Sequence, residues 1–123
     1  GRVTLRDALS HSMNVPSLQV LQAVGFDAAI RQSSLLLGHR DPWESERVFP
    51  RKYPLGLGVA TVSPLQMARA YAVFANQGRS VEPAAIRHIT DRDGDPVYRA
   101  SADHTGQPQS VLSPQEAYIM VNL

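Results

Sequence analysis

The chain has no cysteine among its 123 residues, so disulfide and thiolate chemistry are excluded. It has one lysine, Lys52, and one tryptophan, Trp43. Positive charge therefore rests almost entirely on arginine. The net charge is +1, with acids and bases interspersed. That balance argues against a nucleic-acid surface, which needs a basic patch or stripe, and it disfavours a DNA-binding reading of the helix near residues 63–77. No run approaches the roughly 20 apolar residues that span a bilayer, and no signal peptide is seen. The four histidines, His11, His39, His88 and His104, are scattered without metal-ligand spacing. No cofactor is expected. The length suits one domain or part of one. Gly1 lies close before a helix and Leu123 falls inside an apolar periodic stretch, so the chain reads as a piece of a longer protein.

What is present is mainly helical punctuation. Thr4 with Asp7 predicts a helix over about 4–11. A second helix is expected from Pro16, which suits a first turn, to a stop at Gly25. Asp27 is expected to cap a third, Ala28 to Leu37, closed by Gly38. Residues 39–54 have no period and read as an irregular loop, with Leu55 to Val62 extended or turn-like. Ser63-Pro64-Leu65-Gln66 is a capping box with proline at the first helical position. The helix it opens has Leu65, Ala68, Tyr71, Ala72 and Ala75 on one face, widened by Met67, Val73 and Phe74, and is expected to be buried around most of its circumference. Ile86 to Thr90 and Pro96 to Arg99 flank Asp91-Arg92-Asp93-Gly94-Asp95 and predict a hairpin. Ala100 to Gln109 is polar. Ser113-Pro114-Gln115-Glu116 repeats the capping box before a last helix. The expected fold is α+β, mostly helical, with five helices and one small β-hairpin.

Two familiar ligand patterns fail on spacing. Gly56-Leu57-Gly58 lacks the third glycine of a dinucleotide fingerprint. Asp91, Asp93 and Asp95 suggest a calcium loop, but the twelfth position is Ala102 where glutamate is required. Trp43 with Arg40, Arg47 and Arg51 could touch a sugar or peptide; a loop anchored by a buried aromatic is the plainer reading.

Ser12-Met13-Asn14 stands at the break between the first two helices. On its own the tripeptide is ordinary, because Ser and Asn cap backbone groups at helix junctions. A hydroxyl can also donate and accept at once, and a carboxamide offers both a carbonyl and an NH₂. Such a pair can relay a proton and hold an amide. His11 is the neighbour of Ser12, but adjacent helical residues point about 100° apart, so a surface role is assigned to it.

Thr4-Leu5-Arg6-Asp7-Ala8-Leu9-Ser10-His11-Ser12-Met13-Asn14-Val15-Pro16 resembles the segment around the Ser-x-Asn motif of class A penicillin-binding proteins. Leu57-Gly58 and then Val62-Ser63-Pro64-Leu65-Gln66-Met67-Ala68-Arg69-Ala70-Tyr71-Ala72-Val73-Phe74-Ala75-Asn76-Gln77-Gly78 resemble the helix that follows there. Pro83, Ile86, Asp93-Gly94 and Leu112-Ser113-Pro114 with Ala117 and Tyr118 continue the family order. Active sites of this kind combine Ser-x-x-Lys, Ser-x-Asn and Lys-Thr-Gly. Here Phe49 stands three before Lys52, and Tyr53-Pro54 follow it, so only the middle motif is present.

The resemblance implies that residues 1–123 are part of a serine-type D,D-transpeptidase domain without its nucleophile segment, inactive as an isolated piece. It implies a catalytic proton-relay role for Ser12 and a catalytic and substrate-binding role for Asn14, with no metal. In the intact protein the implied partners are a peptidoglycan stem peptide and β-lactams. No nucleic acid is implied, and a membrane only through an N-terminal anchor outside these residues. The implied location is the periplasmic, extracytoplasmic face of a bacterial inner membrane. The alternative is a non-catalytic helical scaffold or interaction module from a degenerate homologue. Ser-x-x-Lys upstream and Lys-[Ser/Thr]-Gly downstream in the parent gene would separate the two.

Overall fold

The computed structural model describes residues 1–39, 42–100 and 108–123, with 42–44 as backbone only. Arg40, the Trp43 side chain and most of the polar stretch after Ala100 lie outside the described residues. The expectations placed on them rest there.

Helix α1, Leu5–Ser10, starts where the Thr4 hydroxyl accepts from the Asp7 amide at 3.1 Å. Helix α2, Asn14–Val24, begins two residues before the expected Pro16. Proline is tolerated there because amides throughout a first turn have no helical acceptor. Gly25, at φ +85°, ends α2 and directly precedes α3, Phe26–Leu37. With one residue serving both helices, Asp27 lies inside the first turn and is not the cap the sequence suggested. Its carboxylate pairs instead with the exposed guanidinium of Arg51.

The segment 39–54 is not the irregular loop expected. It holds α4, Pro42–Val48, and the start of a 3₁₀ turn, Tyr53–Leu57. Phe49 between them is 5% exposed and joins Leu37 and Ala70 in the core, with Ile30, Leu36, Val48, Leu55, Ala60 and Val62 packed around them. An apolar anchor with no period carries no helical signature, which is why the sequence did not disclose it. The described residues thus form six α-helices rather than five, plus the 3₁₀ turn.

Helix α5, Pro64–Ala75, has both halves of its capping box, Ser63 N–H to Gln66 Oε1 at 2.8 Å and Gln66 N–H to Ser63 Oγ at 3.2 Å. It packs against α3 and α6, Pro114–Val121, along a stripe containing Ala70 and Val73. The expected face is the wrong one: Leu65 is 61% and Tyr71 66% exposed. The chain presents 9486 Å² of surface, where about 6,500 Å² is usual for a folded chain of 13.5 kDa. Too little of it packs round α5 to cover the whole circumference.

The strand-like segments on either side of the hairpin tie α5 to α6. The Val111 and Leu112 amides donate to the Gly78 carbonyl at 2.9 and 3.0 Å, and Ser80 N–H donates to the Gln109 carbonyl at 2.8 Å. β1, His88–Thr90, and β2, Pro96–Arg99, pair antiparallel. Asp91 Oδ1 accepts from the amides of Asp93 and Asp95, both at 2.9 Å. That local turn accounts for the acidic loop. The fold is mostly helical with one two-stranded antiparallel sheet, as expected, and among the described residues no helix is long and apolar enough to cross a membrane.

Candidate functional site

The α1–α2 junction is built by a helix-ending device. The Met13 amide donates to the Ala8 carbonyl at 2.8 Å and the Ser12 amide to the Leu9 carbonyl at 3.0 Å. These are the two bonds of a Schellman stop, whose turning residue takes a left-handed conformation and is usually glycine. Here that residue is Ser12, at φ +50°. Helix α3 ends with the equivalent long bond, His39 N–H to the Ser34 carbonyl at 2.9 Å, and there the left-handed residue is Gly38 at φ +76°. A side chain in this region costs about 1 kcal/mol. The cost is avoided at Gly38 and accepted at Ser12, as it is at Gln77 (φ +54°) after α5, where the Gly78 amide donates to the Val73 carbonyl at 2.9 Å.

Met13 then turns extended and serves as the N-cap of α2, without a side-chain cap. Asn14 is the first helical residue, and Ser17 donates its hydroxyl proton to the Met13 carbonyl at 2.9 Å. The structure therefore sets Ser12 and Asn14 on either side of one sharp turn. Both are exposed, and among the described residues neither side chain makes a hydrogen bond. Neither acts as the local cap that the plain structural reading of Ser and Asn would require. His11 is turned away from this pair in bonding terms: its Nδ1 lies 2.9 Å from the Asp7 carbonyl and 3.2 Å from Ser10 Oγ. It is exposed, in keeping with the surface role assigned from sequence.

A neighbouring groove of about 360 Å³ runs between α1, α2 and the 3₁₀ turn. Leu5, Leu9, Val20, Val24 and Leu55 make it apolar, and its lining begins at Pro16 and Ser17 without including Ser12 or Asn14. It offers packing surface rather than reactive groups. No group of His, Asp or Glu able to hold a metal ion occurs among the described residues. What sequence reasoning missed at this site is the backbone: nothing in the letters of Ser12 announces a left-handed residue, because the usual signal is glycine.

The family model for the penicillin-binding protein transpeptidase domain matches residues 1–123. The chain belongs to this transpeptidase family. Penicillin-binding protein 1A of Pseudomonas aeruginosa is 37% identical over 116 residues, covering 94% of this chain and 13% of that protein. Penicillin-binding protein 1A of Aquifex aeolicus is 32% identical over 124 residues, covering 100% of the chain and 15% of the relative. The crystal structure of penicillin-binding protein 1A from Haemophilus influenzae superposes with a TM-score of 0.66 at 31% identity, over 87% of this chain and 14% of that one. The class A resemblance read from the motifs therefore holds over the whole length, and the mostly helical fold matches part of such a transpeptidase domain. The chain spans only 13–15% of the length of these curated relatives.

Proposed function

We propose that this chain is the Ser-x-Asn portion of a serine-type D,D-transpeptidase that cross-links peptidoglycan. The parent would attack a D-Ala-D-Ala stem peptide with a serine from a Ser-x-x-Lys segment, form an acyl-enzyme, and pass the acyl group to an amine of a neighbouring strand. β-Lactams would acylate the same serine. In this scheme the Ser12 hydroxyl takes the nucleophile's proton by way of the lysine and returns it to the leaving amine. Asn14 holds the lysine through its carbonyl and grips a substrate amide. The parent acts at the periplasmic face of the inner membrane. The 123 residues alone carry neither nucleophile nor base and do not react; intact-mass spectrometry after incubation with a penicillin checks this, and an adduct would refute it.

One observation carries the reading. Ser12 occupies a left-handed turn position that glycine would fill at lower energy, with its hydroxyl unused by the fold. Gln77 carries the same strain, so it is the coincidence of strain, an unused hydroxyl and the Ser position of the Ser-x-Asn motif at one residue that supports use of this side chain. The test follows from it. In the intact parent, Ser12→Gly relieves the strain and should raise thermal stability by about 1 kcal/mol while slowing penicillin acylation by about 10²–10⁴-fold, the range of a general acid–base contribution. Asn14→Ala should give a comparable acylation defect. Normal acylation in Ser12→Gly would overturn the relay assignment.

A further inference from the structure

At each helix start whose N-cap residue is described, the carbonyl of that residue accepts from the amide four positions on. The bond measures 3.0 Å in α1, α5 and α6 and 3.2 Å in α3. In α2 it runs from the Ser17 amide to the Met13 carbonyl and is 3.4 Å, longer than the ordinary range. The order Val15-Pro16 accounts for the stretch. A proline ring crowds the residue before it and disfavours a helical conformation there. α5 and α6 escape this, because their prolines follow the N-cap residues Ser63 and Ser113, both extended at ψ 156°. In α2 the residue before the proline is Val15, which is already helical and is β-branched as well. The first turn opens, and the backbone bond at its start lengthens.

The Ser17 hydroxyl closes the gap. It donates to the same Met13 carbonyl at 2.9 Å. At the other four starts the matching residue is Ala8, Ala29, Met67 or Ala117, none of which has a side-chain donor. The Met13 carbonyl belongs to the peptide unit that joins Met13 to Asn14. The preceding unit is held by the Met13 amide on the Ala8 carbonyl at 2.8 Å. The turn from Ser12 to Asn14 is thus clamped on both sides of Met13, once by backbone and once by a single side chain. A peptide unit turns as a rigid plane, so tilting the Met13 carbonyl swings the Asn14 side chain relative to Ser12.

We propose, resting on the transpeptidase reading, that Ser17 is a positioning residue for the reaction. Its hydroxyl fixes the tilt of the Met13–Asn14 peptide and, through it, the place of the Asn14 carboxamide beside the Ser12 hydroxyl. Ser17 acts through the backbone of the motif and not on the substrate. Rate and stability then part company. A serine bonded back to the carbonyl four residues earlier slightly weakens a helix, and alanine is the better helix former. Removing the hydroxyl therefore harms the placement of Asn14 without harming the helix.

The test compares Ser17→Ala, Ser17→Thr and Ser12→Gly in the intact parent. Two quantities are read on each: the thermal midpoint and the second-order rate constant for acylation by a penicillin, per folded molecule. Ser17→Ala should keep the midpoint or raise it slightly, while acylation slows about tenfold. A 1 Å misplacement of a reacting group costs about 10²-fold, and a lost tether displaces Asn14 by less. Ser17→Thr should recover most of the rate, because a helical threonine can set its hydroxyl on the same carbonyl. If the threonine variant does not fold, the alanine result decides alone. Normal acylation in Ser17→Ala would overturn the proposal, whatever its midpoint. So would a loss in Ser17→Thr equal to that in Ser17→Ala. If Ser12→Gly slows acylation and Ser17→Ala does not, the positioning role falls and the proton relay stands. If neither variant slows it, both fall.

Discussion

Helices α5 and α6 begin with the same four-residue device and meet different fates. Each opens with Ser-Pro, a capping box closes at Gln66 in one and Glu116 in the other, and the distances nearly coincide. Gln66 N–H reaches Ser63 Oγ at 3.2 Å, and Glu116 N–H reaches Ser113 Oγ at 3.2 Å. Beyond the first turn they diverge. α5 runs between α3 and α6 and buries Val73 completely, at 0% exposure. α6 buries Ala117 and leaves Tyr118 70% exposed, with Ile119 and Val121 also bare. Local chemistry starts a helix; whether its apolar residues become core depends on what lies opposite.

The link between the two helices should be the most sensitive point. Gly78 has φ +83°, and a Cβ there would stand 2.2 Å from the Leu112 carbonyl oxygen, a backbone atom that cannot swing away. Gly78→Ala should therefore cost about 3 kcal/mol, read as a fall in denaturant midpoint, with loss of the Val111 and Leu112 amide protection. A neutral result would mean that α5 and α6 are not held together through this carbonyl.

The interior contrast comes next. Val73→Ala removes two buried methyl groups and should cost about 2.5 kcal/mol. Tyr118→Ala, on the bare face of α6, should stay within about 0.5 kcal/mol. Equal effects in chemical denaturation would erase the distinction between the two helices.

The caps should behave alike in size and differently in pH. Ser63→Ala and Ser113→Ala should each cost about 1 kcal/mol. Glu116 accepts from the Ser113 amide at 2.7 Å and from the Ser113 hydroxyl at 2.7 Å. These bonds, the backbone one first, hold its carboxyl below the ordinary glutamate range. Because the folded value is depressed, this contribution is present above the unfolded pKa and lost as pH falls through the folded one. Acidification should thus loosen the start of α6 while α5, capped by a glutamine, does not respond. Residue-resolved amide shifts across that range would show it; Ser113→Ala, which keeps the backbone bond, should shrink the difference, and Glu116→Gln should abolish it. An equal response at Ser63 would remove electrostatics from the account.

Much of this architecture was legible in the letters because it is short-range. Both capping boxes, the Gly25 and Gly38 stops and the Asp-Gly hairpin loop involve residues within five positions of each other, so composition and order decide them. The pair Ser12 and Asn14 was also legible, as residue types at a helix break. The left-handed turn of Ser12 was not, since a serine gives no notice of it. Nor were α4 and the place of Phe49 in the core, which depend on Leu37 and Ala70 arriving from other helices.

What the sequence determined by itself, then, is where helices begin and end and which chemical groups stand at their junctions, because capping and turn bonds are made between near neighbours. Only the tertiary structure decided which stripe of α5 is buried and that the face of α6 stays open. Those outcomes depend on contacts between segments far apart in the chain, and periodicity describes a helix's own faces without saying which neighbour each will meet.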